Sequence, residues 1–118
     1  MRAIKGVAAG LLALLLAGCA ADSGYYWANY TETAYQYKQQ PTEQNKQRFK
    51  NSLLLVLERS AAQQKKVPPG IYAELAFLEL VDKNRSQAAS YLKQEQRLYP
   101  ESTTVTQAWL NRIEGTTP

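Results

Sequence analysis

The chain contains no histidine and a single cysteine, Cys19, among its 118 residues. Without histidine it lacks the commonest general base, the commonest metal ligand and every arrangement in which histidine activates a serine or cysteine nucleophile. A single cysteine excludes a disulfide bond within the chain. The glycines form no phosphate-binding loop, since Gly70 and Gly115 are isolated. Only scattered carboxylates remain for catalysis, so we expect a protein that is not an enzyme and has no metal, cofactor or small-molecule substrate.

The N-terminus has the organisation of a secretory signal. Arg2 and Lys5 form a short positive segment, and residues 6–17 carry no charge. This apolar run is shorter than the ~20 residues that a membrane-spanning helix needs. A cleaved signal peptide is therefore the favoured interpretation, and a buried N-terminal helix is the alternative.

The apolar run ends in Leu16, Ala17, Gly18 and Cys19, and this tetrapeptide resembles the bacterial lipobox. Small residues before the cleavage point are those that a signal peptidase admits. The resemblance implies cleavage before Cys19, a thioether-linked diacylglycerol on its sulfur and an amide-linked acyl chain on its nitrogen. An ordinary signal peptide followed by an unmodified Cys19 is the alternative.

Acylation would tether the mature chain to a membrane. Residues 1–18 would then be the signal peptide, and residues 19–24 a lipidated tether. Each buried methylene contributes about 0.8 kcal/mol, so two or more acyl chains hold firmly where one is marginal. Ala20 follows Cys19, whereas in lipoproteins of this type an aspartate there tends to retain the protein in the inner membrane. We therefore expect an outer-membrane location with the domain facing the periplasm.

The charge balance gives no indication of a nucleic-acid partner. Removal of Arg2 and Lys5 would leave twelve basic side chains against ten acidic ones, a net charge of about +2. An excess this small does not indicate binding to a polyanion.

The hydrophobic pattern after the tether predicts an all-α domain over residues 25–114 and a flexible tail at 115–118. It indicates about five helices with short connections and no strand-like alternation. Prolines mark three of the four breaks between helices, and the fourth break is a turn without proline. The predicted helices cover residues 25–40, 43–66, two segments on either side of a turn at 82–85, and 102–113.

The first predicted helix is rich in aromatic side chains. At helical spacing Tyr26, Tyr30 and Tyr37 share one face, and Tyr35 lies on the opposite face. We expect Trp27 and Tyr30 to pack in the core and lock this helix onto the second. Tyr35 is then the better candidate for an exposed contact.

The second predicted helix carries an apolar stripe, and apolar side chains outside the stripe indicate that its middle is covered on more than one side. The stripe consists of Phe49, Leu53, Val56, Leu57 and Ser60, and the additional apolar residues are Leu54 and Leu55. We expect the basic residues at its ends to be solvated. These are Lys46, Arg48, Lys50, Lys65 and Lys66.

Helix caps and the last helix complete the pattern. Thr42 is predicted to cap the second helix, and Ser86 the fourth. The predicted apolar face of the last helix consists of Val105, Ala108, Trp109 and Ile113.

Residues 69–102 span 34 residues, the period of a tetratricopeptide repeat, and resemble that pattern without gaps. The matching positions are Tyr72, Leu75, Ala76, Ala88, Leu92 and Pro100. The departures are Glu79, where a tyrosine is usual, and Glu95, where a small residue is usual. Both acids fall on the face that the pattern predicts to be packed, where an ion pair with Lys83 or Arg97 would neutralise them.

One repeat cannot bury its own faces, because such arrays need roughly three units. Residues 26–66 would therefore act as a degenerate first repeat, and the helix at 102–113 as a C-terminal cap. The alternative is an ordinary helical bundle whose hairpin happens to match the repeat.

Three segments extend the resemblance beyond the repeat: YYWANY at 25–30, KVPPGIYAELAFLEL at 66–80 and EQRLYPES at 95–102. They resemble a family of small bacterial lipoproteins without an assigned function. Members are typically encoded beside a lipoprotein resembling CsgG, the curli secretion channel. The resemblance implies a component of an outer-membrane lipoprotein complex, and it implies no catalytic residues.

Three functions fit these observations. In a helical adaptor, the candidate partner-binding residues are Tyr25, Tyr26, Tyr35 and Glu79, because aromatic side chains dominate many protein contacts. In a protein that binds cell-wall glycan or lipopolysaccharide, tyrosines would stack on sugars while the basic residues at 46, 48 and 50 contact anions. In an envelope hydrolase, Glu79 or Glu95 would act as a general acid with a raised pKa. The adaptor is the favoured hypothesis, with the CsgG-like lipoprotein as partner.

Overall fold

A computed structural model describes residues 24–115. The predicted signal peptide, the lipobox at 16–19 and most of the tail lie outside the described residues. Within 24–115 the chain forms five α-helices, one short 3₁₀ turn and no strand, which confirms the all-α prediction. The helices are α1 (Tyr30–Gln39), α2 (Glu43–Ala62), α3 (Ile71–Val81), α4 (Arg85–Leu98) and α5 (Thr103–Glu114), with the 3₁₀ turn at Pro100–Ser102.

The start of α1 differs from the prediction. Ala28 has a φ of 51°, in the left-handed region, and the backbone N–H of Tyr30 donates to the carbonyl of Trp27 at 3.1 Å. This turn delays the helix until Tyr30. The prediction that Tyr26 shares a helical face with Tyr30 and Tyr37 is therefore wrong, because Tyr26 precedes the helix.

The caps are confirmed at one helix and corrected at another. The hydroxyl of Thr42 accepts a hydrogen bond from the backbone N–H of Asn45 at 3.1 Å, as predicted for the start of α2. At α4 the cap position is Asn84 and not Ser86. The carbonyl of Asn84 already accepts from the N–H of Ala88 at 3.0 Å, which places Ser86 inside the first turn.

The core consists of two clusters that meet on α3. The first joins α1, α2 and α3 through Ala34, Phe49, Leu53, Val56, Ile71, Leu75 and Leu78. The second joins α3, α4 and α5 through Ala76, Ala88, Leu92 and Leu110. The predicted stripe of α2 is confirmed, since Phe49, Leu53, Val56 and Ser60 are buried and Leu57 packs against the cluster. α2 contacts both α1 and α3 as predicted, yet Leu54 stays exposed.

The packed face of α5 agrees with the predicted one at Trp109 and Ile113 and differs at Val105 and Ala108, which are exposed. Val105 is 63 % exposed, and the buried residues are Thr106 and Leu110. Trp109 packs against the second cluster and meets the ring of Phe77 edge-on, with 5.1 Å between the ring centroids. Thr106 and Leu110 take the packed positions that the prediction gave to Val105 and Ala108. The Thr106 hydroxyl is satisfied inside its own helix, where it donates to the carbonyl of Ser102 at 3.0 Å.

Each helix packs chiefly on its neighbours in the sequence, α1 on α2, α2 on α3, α3 on α4, and α4 on α5. The result is a hairpin of α1 and α2, a hairpin of α3 and α4, and a final helix that covers the second hairpin.

Candidate partner-binding surfaces

A chain of aromatic rings fixes the segment before α1 to the core. The rings of Tyr25, Trp27, Tyr30, Phe49 and Tyr37 follow one another in space, with centroid distances of 6.3, 5.4, 5.7 and 6.0 Å. Only the last three rings lie in or against the first core cluster. Tyr30 packs there as predicted, whereas the prediction that Trp27 is a core residue is wrong. Trp27 precedes the helix and is 40 % exposed on top of Tyr30.

Tyr25 is half-buried and has a structural partner. Its hydroxyl lies 3.4 Å from the hydroxyl of Tyr99, which donates to the carbonyl of Val67 at 2.6 Å. The Lys66 Nζ atom lies 4.3 Å from the centroid of the Tyr99 ring. Burial raises the pKa of the Tyr99 hydroxyl above its ordinary value, so it stays a donor. Tyr25 thus ties the N-terminal segment to the loop before α3, and the adjacent Tyr26 is also half-buried.

Tyr35 is the exposed aromatic residue that the sequence predicted. Its side chain is 64 % exposed, and it borders a hollow of about 300 Å³ between α1 and α2. The other residues that line this hollow are Gln36, Gln39, Gln40, Asn45 and Arg48. The Asn45 side chain donates to the carbonyl of Gln40 at 3.0 Å, which fixes the loop at this end of the hairpin.

A second hollow of about 410 Å³ adjoins the first and shares Gln36 and Arg48 with it. Its remaining lining residues are Asn29, Glu32, Thr33, Asn51, Ser52 and Leu55. The Ser52 hydroxyl is buried and has no hydrogen-bond partner among the described residues. We call the two hollows together the α1/α2 groove. Amides and hydroxyls dominate it, and its two charged residues, Glu32 and Arg48, have opposite signs, so it suits an uncharged hydrogen-bonding ligand.

Glu79 lies inside the molecule and not on a partner-binding surface. It is 4 % exposed, and its carboxylate accepts from Lys50 Nζ at 2.7 Å and from Asn84 Nδ2 at 2.8 Å. Burial alone would raise the pKa of Glu79, but these two hydrogen bonds outweigh it and lower the pKa below its ordinary value. Its ion-pair partner is Lys50 of α2 and not Lys83, because helix packing brings together residues distant in the sequence.

The solvated state predicted for the basic residues of α2 is wrong for Lys46, which is 6 % exposed. Its ammonium group binds Glu43 Oε2 at 2.8 Å and also pairs with Asp82. Hydrogen bonds from Lys46 to these carboxylates hold its pKa above the ordinary value. The pairs of Lys46 with Asp82 and of Lys50 with Glu79 therefore join α2 to the C-terminal end of α3.

Glu95 is buried as predicted, but it forms no ion pair with Arg97. Its carboxylate accepts from the backbone N–H groups of Gly70, at 3.1 Å, and Ala73, at 3.2 Å. A carboxylate at the start of a helix satisfies donors that have no partner within the helix. Glu95 of α4 thus caps α3, at a point where Gly70 has a φ of 93°, a conformation that favours glycine.

Two further features concern the described residues. Between residues 24 and 115, histidine, cysteine, aspartate and glutamate side chains form no group of three or more that could hold a metal ion. In the same stretch every helix is too short or too polar to cross a membrane.

Comparison with known proteins yields one family. Residues 25–108 match the family described as a domain of unknown function, DUF4810. No curated protein and no solved structure matches the chain. The match covers well over half of the sequence, including the three segments that suggested a bacterial family. The chain belongs to the DUF4810 family.

Proposed function

We propose that this protein is an outer-membrane lipoprotein that acts as a non-catalytic helical adaptor in an envelope lipoprotein complex. Its lipid would be attached at Cys19, and its α1/α2 groove would hold the partner. The partner would be a lipoprotein resembling CsgG. The observation that carries the proposal is the exposure of Tyr35 beside a polar groove, on the hairpin nearest the expected tether.

The position of this groove favours a partner in the same membrane. The six peptide links between Cys19 and Tyr25 span at most about 20 Å when extended. The aromatic contacts of Tyr25, Trp27 and Tyr30 continue this tether into α1. Attachment to one surface raises the effective concentration of the groove towards other anchored proteins.

The groove has the composition of a protein contact site. A tyrosine supplies a large contact area and a polar tip with few rotatable bonds, and residues of this kind dominate many interfaces. Gln36, Gln39 and Asn51 supply donors and acceptors for a partner's backbone, and Arg48 supplies a charge.

Neither unusual carboxylate supports the hydrolase alternative. The pKa of Glu79 is lowered, whereas a general acid at neutral pH needs a raised pKa. The Glu95 carboxylate is occupied by two backbone N–H groups.

Glycan binding is the second candidate, because amides beside an exposed tyrosine also suit a sugar. The prediction that Lys46, Arg48 and Lys50 together contact anionic groups of the glycan loses support, because Lys46 and Lys50 are ion-paired within the molecule. Arg48 alone of the three lines the α1/α2 groove.

A pull-down from detergent-solubilised envelopes tests the proposal, with the full lipidated protein as bait. The wild-type protein should recover the CsgG-like lipoprotein, and Tyr35→Ala should reduce the recovery about fivefold or more. Val105→Ala is the matched control, because Val105 is 63 % exposed and lies on α5, away from the groove. Recovery of glycan strands without a protein would select the second candidate.

The anchor is tested separately. Cys19→Ser removes the thiol that would accept the lipid, so labelled palmitate should no longer be incorporated. Palmitate on the serine variant would contradict the assignment of the acylation site.

A further inference from the structure

The solvent-exposed side of α4 carries charges of one sign only. Arg85, Lys93 and Arg97 are exposed. The single acid of this helix, Glu95, points inward and caps α3. Because residues four apart lie on one side of a helix, Arg85, Ala89, Lys93 and Arg97 form one row.

This row borders a groove between α4 and α5 with a volume of about 760 Å³. A parallel row of Ser86, Ser90 and Gln94 supplies hydroxyl and amide groups, and Ala89 and Ile113 supply apolar surface. Glu114 is the one acid that lines the groove. We call this surface the α4/α5 groove.

The positive charges of the α4/α5 groove are weakly compensated. Lys93 lies 3.7 Å from Glu114, and both side chains are largely exposed, so the pair contributes little. Arg97 donates to the neutral amide of Gln94. Like charges four residues apart repel. Within residues 24–115, Lys93 and Arg97 therefore lack the close carboxylate partners that Lys46 and Lys50 of α2 have at the C-terminal end of α3.

We infer that the α4/α5 groove binds an extended acidic segment of a partner protein. The inference rests on the adaptor function proposed above and gives the chemistry of one contact. Arg97 lies twelve positions after Arg85, a distance of about 18 Å along the helix at 1.5 Å per residue. An extended chain covers this length with about five or six residues. A hollow between two helices admits such a chain along the partly exposed Ala89 and Ile113 that line it, whereas a flat anionic bilayer does not follow a hollow.

A carboxylate of the bound segment would replace Glu114 as the ion-pair partner of Lys93. The removal of Glu114 should therefore strengthen binding, while the removal of the cations should weaken it. These opposite changes in affinity would distinguish binding in the α4/α5 groove from a general attraction of the acidic segment to a basic protein.

The test measures the fluorescence anisotropy of a labelled hexapeptide of alternating glutamate and aspartate. The lipidated protein is held in neutral detergent, and the glutamine and asparagine version of the peptide serves as the uncharged probe. Lys93→Gln and Arg97→Gln should each weaken binding of the acidic peptide about two- to fivefold. Glu114→Gln should strengthen it about twofold. The uncharged peptide should not bind measurably.

Two substitutions serve as controls, since both remove an exposed cation from the end of another helix. Arg59→Gln matches Arg97→Gln, and Lys38→Gln matches Lys93→Gln. An equal loss of affinity in these controls would overturn the inference, and so would equal binding of the uncharged peptide. Acylation of Lys93 by an amine reagent gives a further criterion. Protection of Lys93 by phosphatidylglycerol membranes, without protection by the acidic peptide, would assign the groove to the bilayer and also overturn the inference.

The failure of this inference is distinguishable from failure of the adaptor function. If the peptide does not bind while the CsgG-like partner is still recovered in a Tyr35-dependent manner, the acidic-segment inference alone is wrong. If no protein partner is recovered, the adaptor function is wrong.

Discussion

The lysines of α2 and the cations of α4 look alike in the sequence and have different surroundings in the fold. Lys46 and Lys50 reach across to α3 and bind the carboxylates of Asp82 and Glu79. Lys93 and Arg97 face solvent, and their contacts among the described residues are with Glu114 and a neutral amide. The comparison shows that the exposure of a charge depends on which helix packs beside it. We therefore assign a structural role to the α2 pairs and a binding role to the α4 face.

The largest loss of stability should follow from breaking the ion pair between Lys50 and Glu79. Lys50→Met leaves the buried Glu79 carboxylate without its cation, which should lower the free energy of unfolding by about 2–3 kcal/mol. This lies below the usual loss for a fully buried pair, because Lys50 keeps some contact with water. Lys93→Met is the control and should change the stability by less than about 0.5 kcal/mol. Urea denaturation followed by circular dichroism measures both. Equal losses of stability in Lys50→Met and Lys93→Met would contradict the difference between the lysines of α2 and the cations of α4.

Overpacking the contact between α3 and α4 should lower the free energy of unfolding by a similar or smaller amount. Ala88 lies on the inner side of α4 and is fully buried against α3 and α5. Ala88→Leu should destabilise the domain by about 1–3 kcal/mol, because the added carbons have no space. Ala108→Leu makes the same change at an exposed position of α5 and should have little effect. An unchanged melting temperature for Ala88→Leu would show that the packing of α3 on α4 is described incorrectly.

The ion pair between Lys50 and Glu79 should also make the stability of the fold depend on pH. The pKa of Glu79 lies below its ordinary value of 4.5, so its ionised form stabilises the fold above pH 4.5. That contribution disappears as the pH falls through the lowered pKa. In Lys50→Met, burial of the unpaired carboxyl favours its protonated form, so the destabilisation should shrink in acid. Denaturation curves of both proteins between neutral pH and about pH 3 test this sign. A difference that stays constant with pH would exclude the pair as its cause.

The smallest effect on stability is expected at Tyr35. Its side chain is largely exposed, so Tyr35→Ala should change the free energy of unfolding by less than about 0.5 kcal/mol. Thermal denaturation measures this. A larger loss would mean that Tyr35 supports the fold, and reduced partner recovery could then not be attributed to a lost contact.

Local features of the fold and the packing of α2 on its two neighbours were predictable from the sequence, whereas the polar partners that pair between helices were not. The stripe of α2 and the Thr42 cap follow from spacing and side-chain chemistry within one helix. The predicted ion-pair partner of Glu79, Lys83, is wrong. The observed partner, Lys50, lies 29 positions away in the sequence and comes close only because α2 packs on α3.

The same limit applies to the candidate surfaces. Tyr35 could be recognised from its position opposite the aromatic stripe of α1. The α4/α5 groove was missed, although the four-residue spacing of Arg85, Lys93 and Arg97 was present in the sequence. The sequence pattern did not show that Glu95 turns away from this row, because its carboxylate is held by the backbone N–H groups of Gly70 and Ala73 at the start of α3.

Association within one bilayer tests the adaptor function most directly. The lipidated protein and the purified CsgG-like lipoprotein would carry fluorescent labels and be reconstituted together in liposomes, and energy transfer between them would be recorded against partner density. We predict saturable energy transfer that Tyr35→Ala weakens and Val105→Ala leaves unchanged. Energy transfer no greater than that expected for randomly distributed lipoproteins would contradict the adaptor function.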